Sequence, residues 1–323
     1  MGRMISFLKN WMLVIAMCAG ISMYLIYVEL DFLHQYGSLL LGIVKFLQPL
    51  LLFIMLFLSF CKISPRQLKL RGWHFTGLLL QCVLYIICML SLVFFKDMMS
   101  SLPLLQFSVE AFALCIICPT ATACSVLTAK LGGDRASVMT YTILINLMVA
   151  IVVPLLVPLV NPMDGHGFME AFLKILSKVF PMLILPCLLA WFLQATAPKL
   201  HDYFAGHASL AFNIWAISLT LAMLMSTRAI YHSGAGIVLL SGIAFASLLS
   251  CILQFWCGKR IGGRNGDRIS AGQALGQKNT VFAIWLAYTF MNPLVSVAGG
   301  FYSIWHNVFN SWQLYRQRRG KLY

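Results

Sequence analysis

Acidic side chains are scarce in this sequence, which contains only nine aspartate and glutamate residues among 323. Charged residues of both signs make up 10% of the chain, whereas a soluble domain typically has about 25%. Hydrophobic residues make up 61% and occur along the whole length, more than a soluble fold can bury. The composition therefore excludes an ordinary soluble domain and predicts an integral protein of the lipid bilayer.

Motifs of catalysis and of metal binding are also missing. The sequence has no H-E-x-x-H, no G-x-S-x-G and no paired carboxylates for acid–base chemistry, so we expect no enzyme activity. Nine of the ten cysteines lie inside apolar runs, and Cys115 and Cys118 have no second cysteine pair or histidines nearby. We interpret the cysteines as small core residues and expect no metal site and no bound cofactor, apart from a coupling proton or sodium ion.

Ten apolar runs are long enough to cross a bilayer, which takes about 20 helical residues. The predicted spans are 11–29, 37–61, 73–95, 103–131, 134–160, 168–195, 205–227, 234–258, 267–290 and 292–315. The first run is not followed by a small-residue cleavage site, so we interpret it as a retained helix rather than a signal peptide. The runs predict an all-α membrane protein of ten transmembrane helices.

Basic residues concentrate in every second connection between these runs. With the N-terminus placed inside, 17 of the 23 basic residues fall in inside segments, and only Lys96 and Arg228 fall in outside connections. The inside residues are Arg3, Lys9, Lys62, Arg66, Lys69, Arg71, Lys130, Arg135, Lys199, Lys259, Arg260, Arg264, Arg268, Arg316, Arg318, Arg319 and Lys321. The net charge of +14 is therefore a topology signal and does not indicate a nucleic-acid partner. We expect both termini in the cytoplasm and a location in a bacterial inner (plasma) membrane.

An even division of the ten spans gives two halves of five, residues 1–160 and 161–323. An odd number of spans per half makes the halves insert in opposite orientations, which is the inverted repeat of many secondary transporters. In such folds, interrupted helices at matching positions of the two halves mark the binding site. The fourth and ninth runs fit this expectation.

Helix-breaking and polar residues interrupt these two runs. Pro119 breaks the fourth, and small polar residues follow it: Thr120, Thr122, Cys124, Ser125 and Thr128. The ninth has two glycines among polar residues: Gly272, Gln273, Gly276, Gln277, Lys278, Asn279 and Thr280. Unwound backbone at this depth is tolerated only where protein buries it or where it lines a cavity. The breaks therefore predict a binding site, although kinked helices joined by polar side chains would have the same composition.

These motifs resemble the bile acid:sodium symporter family. The resemblance rests on Cys118-Pro119 with the segment 122–128, on Gly133-Asp134, on the segments 276–280 and 303–307, and on the run from Leu47. It implies ten helices in a core domain and a panel domain, with broken helices four and nine crossing in the core. It also implies sodium-coupled uptake of organic anions, with bile salts, pantoate-like acids and 2-keto acids as compatible substrates.

The chain departs from the family at the positions that would bind sodium. The family's ninth-helix glutamate is replaced by Ala274, and the glutamine before the motif's asparagine is replaced by Lys278. The usual Ser-Asn pair of the fourth helix is Cys124-Ser125, and the earlier ligand position of the fifth helix is Val138. These replacements remove oxygen ligands and add a cation.

Other members of the family's set are retained. Thr142 keeps a fifth-helix hydroxyl, and Gln81 resembles a retained glutamine of the third helix. Asn146 and Gln273 are further amides that we place near the predicted crossing, and His306 and Asn307 are candidate supporting residues in the last span.

Lys278 decides the expected mechanism. Its ammonium would repel a sodium ion in a medium of low dielectric constant, so we hypothesise that it replaces that ion. It could donate to free carbonyls, contact an anionic substrate or lose its proton during transport. A structural lysine paired with Glu110 is the plain alternative, but Glu110 lies nine residues before Pro119, about 13 Å along a straight helix. A sodium- or proton-coupled symporter of ordinary family mechanism and a cation/proton antiporter are the alternative functions.

Overall fold

The chain is almost entirely helical. The structure, a computed structural model, describes residues 2–263 and 266–320, so Arg264 and Lys321 of the predicted inside charges lie outside the described residues. Helix makes up 86% of the molecule, and the described ranges contain no β-strand. The helices are α1 (Gly2–Glu29), α2 (Asp31–His34), α3 (Gly37–Phe60), α4 (Gly72–Phe94), α5 (Lys96–Ser101), α6 (Pro103–Ile117), α7 (Cys124–Lys130), α8 (Arg135–Val160), α9 (Phe168–Thr196), α10 (Pro198–Gly206), α11 (Ala208–Ser233), α12 (Ile237–Gly263), α13 (Arg268–Gly276), α14 (Thr280–Phe290) and α15 (Val297–Arg318).

Seven of the helices in the described ranges are long and apolar enough to cross a bilayer: α1, α3, α4, α8, α9, α11 and α12. This confirms a multi-pass all-α membrane protein. The predicted runs 103–131 and 267–290 are each divided into two short helices, α6 with α7 and α13 with α14. The run 292–315 begins with a 3₁₀ turn at Pro293–Ser296, and α15 carries too many polar residues to count among the seven.

The predicted seventh span begins too early. A separate helix, α10, ends at Gly206, and α11 then runs from Ala208 to Ser233 rather than over 205–227. Pro198 starts α10, where a missing backbone N–H costs nothing, and so the chain turns before the long helix begins.

The helices form two packed groups. In one group α11 packs on α1 and α3, and α3 packs on α9. In the other, α4 and α12 pack on α6, α13 packs on α12 and α8, and α15 packs on α12 and α14. Contacts of α8 with α9 and of α11 with α14 join the groups. The four short helices α6, α7, α13 and α14 thus lie in the second group, and α14 contacts α3 and α11 of the first.

Glycine lets α12 and α13 approach closely. A Cβ atom on Gly258 would lie 2.5 Å from the carbonyl oxygen of Ala271, and one on Gly262 would lie 2.5 Å from that of Asp267. The four-residue spacing of these glycines puts both on one face of α12, as in small-x-x-x-small contacts between membrane helices. The α12 face therefore fixes the position of α13.

A charged cluster ties the starts of two helices together. Asp134 caps α8 by accepting bonds from the backbone N–H groups of Ala136 and Ser137. Arg71 lies 3.5 Å from the Asp134 carboxylate and 3.9 Å from that of Asp267, just before α13. The cluster holds the first turns of α8 and α13 beside α4.

Candidate functional site

Proline ends helix α6. The residue before a proline is forced toward extended backbone, and Cys118 has ψ 133°, so the helix ends at Ile117. The chain then passes through Thr120 without helical bonding and starts α7 at Cys124. The first predicted break is therefore an unwound segment, residues 118–123, rather than a kink.

The second break separates α13 from α14. Gln277 is extended, with φ −96° and ψ 102°, and Asn279 starts α14 by accepting a bond from Phe282 N at 3.2 Å. A Cβ atom on Gly276 would lie 2.4 Å from the ring of Phe255 on α12. Glycine is needed at this position because the end of α13 touches that ring.

The two unwound segments cross and pair with each other. Thr120 and Lys278 form an antiparallel bridge, the only one in the described ranges. Ala121 N donates to Gln277 O at 2.8 Å, and Asn279 N donates to Pro119 O at 2.8 Å. Backbone groups that lost their helical partners thus satisfy one another, as burial in an apolar medium requires.

Side chains at the bridge reach across it in both directions. Thr120 Oγ1 donates to Ala274 O at 2.8 Å, and Lys278 Nζ donates to Ile116 O at 3.2 Å. Each acceptor lies four residues before the opposite bridge residue, in the last turn of a helix whose carbonyls lack intrahelical partners. Cys118 Sγ also donates to Asn279 O at 2.9 Å. We call residues 116–123 and 274–280 the crossing.

Two glutamines support the end of α6. Gln81 Nε2 donates to Ile116 O at 3.1 Å, and Gln254 Nε2 lies 3.1 Å from Cys115 O. The two amides bond to each other at 2.7 Å, and Tyr141 donates its hydroxyl to Gln81 Oε1. Gln81, a predicted site residue, therefore stabilises the crossing through its hydrogen bond to the last turn of α6.

A tyrosine gives the end of α13 the same support. Tyr302 donates its hydroxyl to Gly276 O at 2.9 Å and lies 3.1 Å from Gln254 Nε2. Sequence reasoning missed Gln254, Tyr302 and Tyr141 as parts of the site. A lone amide inside the apolar run 234–258 was the available signal for Gln254.

Lys278 is buried and has no acidic partner. Its residue is 1% exposed, and among the described residues it forms no ion pair. Glu110 instead accepts a bond from Gln106 Nε2 at 3.1 Å. The ammonium lies at the C-terminal end of α6, where the helix dipole is negative and favours a cation.

A cavity of about 340 Å³ lies against the crossing. Five of the predicted site residues line it: Thr122, Ser125, Lys278, Asn279 and Thr280. His306 and Asn307, predicted as supporting residues, line it as well. Its wall combines both unwound segments with α15 and with helices of the other group, including Met55 of α3.

The charge of the cavity wall is of one sign. Among the described residues, Lys62, Arg135 and Lys278 are the charged residues that line it, and no acidic residue does. Burial, and to a smaller extent the neighbouring Arg135, lower the pKa of Lys62 from its ordinary value of 10.5. Phe212 and Trp215 add an aromatic side to the wall. This combination favours a ligand with both an anionic and an apolar part.

Several polar atoms of the cavity wall are unpaired. Gln277 Oε1, Asn279 Nδ2 and His306 Nδ1 have no partner among the described residues. Thr280 Oγ1, in contrast, accepts a bond from Ser303 Oγ at 2.6 Å. Buried polar groups normally have partners, so the unpaired atoms are available to a ligand or to water.

Predicted hydroxyls on α7 and α8 bond to their own helices. Thr128 Oγ1 donates to Cys124 O, and Thr142 Oγ1 donates to Val138 O, both at 2.9 Å. None of these four residues lines the cavity.

The two amides predicted near the crossing contact other helices. Gln273 Nε2 donates to Asn310 Oδ1 of α15 at 3.1 Å. Asn146 Nδ2 lies 3.5 Å from Leu183 O of α9. Both side chains are buried, and neither forms part of the cavity wall.

The chain matches no known protein-family model and no curated protein sequence.

Proposed function

We propose that this protein is a secondary transporter of a small organic anion. The observation that carries the proposal is the crossing itself, where two broken helices pair beside a cavity whose only charged residues are basic. Unwound backbone within a membrane protein is tolerated where it lines a cavity, and transporters place their substrate sites at such breaks.

The proposed architecture is an inverted repeat of residues 1–160 and 161–323, with ten spans. The reciprocal bonds from Thr120 to Ala274 O and from Lys278 to Ile116 O support it, because two-fold related segments would exchange equivalent contacts. The resemblance to bile acid:sodium symporters implies a core domain that contains the crossing, so we equate the group of α4, α6–α8 and α12–α15 with that domain. The other group, α1, α3, α9 and α11, would then be the panel domain.

The proposed role of Lys278 is that of a permanent cation in place of sodium. Its ammonium donates to Ile116 O and thus joins the second break to the end of α6. Two neighbouring cations repel each other strongly in a medium of low dielectric constant, so binding of a sodium ion beside the Lys278 ammonium would be unfavourable. Ala274 leaves no carboxylate that could compensate.

The proposed substrate site is the cavity as a whole, with Lys278 in its wall. Asn279 Nδ2 is an unpaired donor, His306 Nδ1 is a second unpaired polar atom, and Lys62 and Arg135 supply positive charge. The first residues of α14, Thr280 and Val281, line the cavity, so the positive end of that helix dipole also favours an anion. A volume of about 340 Å³ suits a small anion. Since Lys62 and Arg135 belong to the predicted cytoplasmic segments, this is an inward-facing state.

Uptake into proteoliposomes tests the function and separates its rivals. The purified full-length protein should accumulate a radiolabelled organic anion and should not move rubidium or sodium. The reverse selectivity would favour the cation/proton antiporter. A set of anions with aromatic, aliphatic and sterol bodies should be screened, because the wall includes Phe212 and Trp215.

Uptake into the same proteoliposomes, measured with different ion gradients, identifies the coupling ion. Stimulation of uptake by an imposed pH gradient would indicate that a proton is coupled to transport, with Lys278 as the candidate carrier. Uptake that requires sodium and ignores the pH gradient would contradict both the proton hypothesis and the replacement of sodium by Lys278.

A further inference from the structure

Basic and aromatic side chains form a surface at one end of α12 and α15. Arg260 lies 5.7 Å from the ring centre of Trp256 on α12. Lys259 Nζ lies 5.9 Å from the ring centre of Trp312 on α15, and Arg316 lies 5.4 Å from the same ring. We call these five residues the basic aromatic patch. The rings hold three cations within a small area by cation–π contacts.

The positive charge of this patch is not balanced by the protein. Lys259, Arg260 and Arg316 form no ion pair with an acid in the part of the chain that the structure describes. Lys259 and Arg316 lie over the same Trp312 ring, so their like charges repel each other. An anion bound at the patch would relieve this repulsion.

An apolar face continues from the patch along both helices. Phe245 and Ile252 are 65% and 52% exposed, and their spacing puts them on the same face of α12 as Trp256. Val308, which is 61% exposed, lies one turn from Trp312 on α15. Helices α12 and α15 pack on each other, and the exposed apolar residues of both helices lead toward the basic aromatic patch.

We propose that the patch binds an anionic phospholipid. Its phosphate lies among Lys259, Arg260 and Arg316, and its acyl chains lie on the apolar face of α12 and α15. The apolar face distinguishes a lipid from a free phosphate ion, which would use only the basic residues. The aromatic rings match the headgroup level, where tryptophan is enriched in membrane proteins.

A bound lipid would also affect the position of the crossing. The stem of Lys259 covers Gly272 of α13, since a Cβ atom on that glycine would lie 2.7 Å from Lys259 Cγ. Helix α13 ends at the crossing, so a lipid that fixes Lys259 also fixes α13. Lipid binding does not depend on the proposed transport, and the two are measured separately.

The test measures binding of brominated phosphatidylglycerol to the full-length protein in detergent micelles by quenching of tryptophan fluorescence. Trp256 and Trp312 lie in the patch and report a lipid bound there. The R260A/R316A variant is expected to bind about thirtyfold more weakly, because each basic residue contributes to attraction of anionic lipids. The control variant R66A/K69A removes the same charge from exposed positions outside the patch and should bind within about twofold of the wild type.

Two further probes determine whether the patch requires both the anionic headgroup and the acyl chains. Brominated phosphatidylcholine should bind at least about tenfold more weakly than phosphatidylglycerol, and glycerol 3-phosphate should not compete. Equal binding of the two lipids, equal losses in both double variants, or full competition by glycerol 3-phosphate would each overturn the proposal. Selective loss in R260A/R316A with the stated lipid preference would support it.

Discussion

The two breaks at the crossing reach equivalent backbone geometry with different side chains. Each unwound segment supplies one residue to the bridge, and each bridge residue donates to the last turn of the opposite helix. At the first break the donor is the short neutral hydroxyl of Thr120. At the second it is the charged ammonium of Lys278. The comparison teaches that backbone symmetry fixes where bonds are needed, whereas the charge lies on one side only and adds to the positive charge of the cavity wall.

The largest effect is expected from removing that charge. Lys278→Met should reduce anion uptake about a hundredfold, because it removes one of the three positive charges of the cavity wall, and an interaction with a charged group contributes about 1.5–3 kcal/mol. Stability should change little, since Ile116 O keeps its bond from Gln81 Nε2. Uptake in proteoliposomes and thermal unfolding in detergent measure the two quantities. The control Lys174→Met, a lysine of α9 outside the cavity wall, should transport normally.

If Lys278→Met took up the anion at close to the wild-type rate, the charge difference between Thr120 and Lys278 would have no role in transport.

Removing the side-chain amide of Gln254, which supports the end of α6, should have the next largest effect, on the free energy of unfolding. Gln254→Leu removes the donor to Cys115 O and the acceptor of Gln81, both buried, so we expect a loss of about 2 kcal/mol in unfolding free energy. Unfolding in detergent with increasing denaturant measures it, and the exposed Gln317→Leu serves as the control. Equal stabilities of the two variants would contradict the role assigned to Gln254.

Substitution of Thr120, the neutral residue of the bridge, should lower the free energy of unfolding by less. Thr120→Val keeps the side-chain shape but leaves Ala274 O without its donor, which should cost about 1 kcal/mol of unfolding free energy. Thr120→Ser keeps a hydroxyl and should lose less. Equal destabilisation by valine and serine would contradict a role for the bond to Ala274 O, because serine keeps that donor and valine does not.

The smallest effect concerns Lys62, whose pKa is lowered by burial and by Arg135. A bound anion favours the protonated lysine, so anion affinity should fall a few-fold as the pH rises through the lowered pKa of Lys62, below the ordinary value of 10.5. Lys62→Arg keeps its charge over this range and should remove the fall. Titration of anion binding at several pH values measures it, and an unchanged slope in Lys62→Arg would rule out Lys62 as the titrating group.

The positions of the breaks could be predicted because their causes are local. Pro119 forces Cys118 out of helical geometry, and Asn279 accepts the bond from Phe282 N that starts α14. The membrane character followed from composition alone. The reach of Lys278 to a free carbonyl was one of the options that the sequence left open, and the structure places Nζ at Ile116 O.

The supporting network could not be predicted because it joins residues far apart in sequence. Gln81 and Gln254 are 173 residues apart and lie on different helices. Asn146 has a polar group at a depth that suggested the crossing, but its face of α8 is turned toward Leu183 of α9. Lys62 and Arg135 were interpreted only as topology signals, and tertiary packing brings them to one cavity wall.

The sodium dependence of uptake tests the central claim most directly. Proteoliposomes containing the wild-type protein should take up the organic anion at the same initial rate with sodium or with choline as the external cation. The account predicts equal rates, because the Lys278 ammonium occupies the place of a coupling cation. A rate that rises with sodium and falls to background in choline would contradict it.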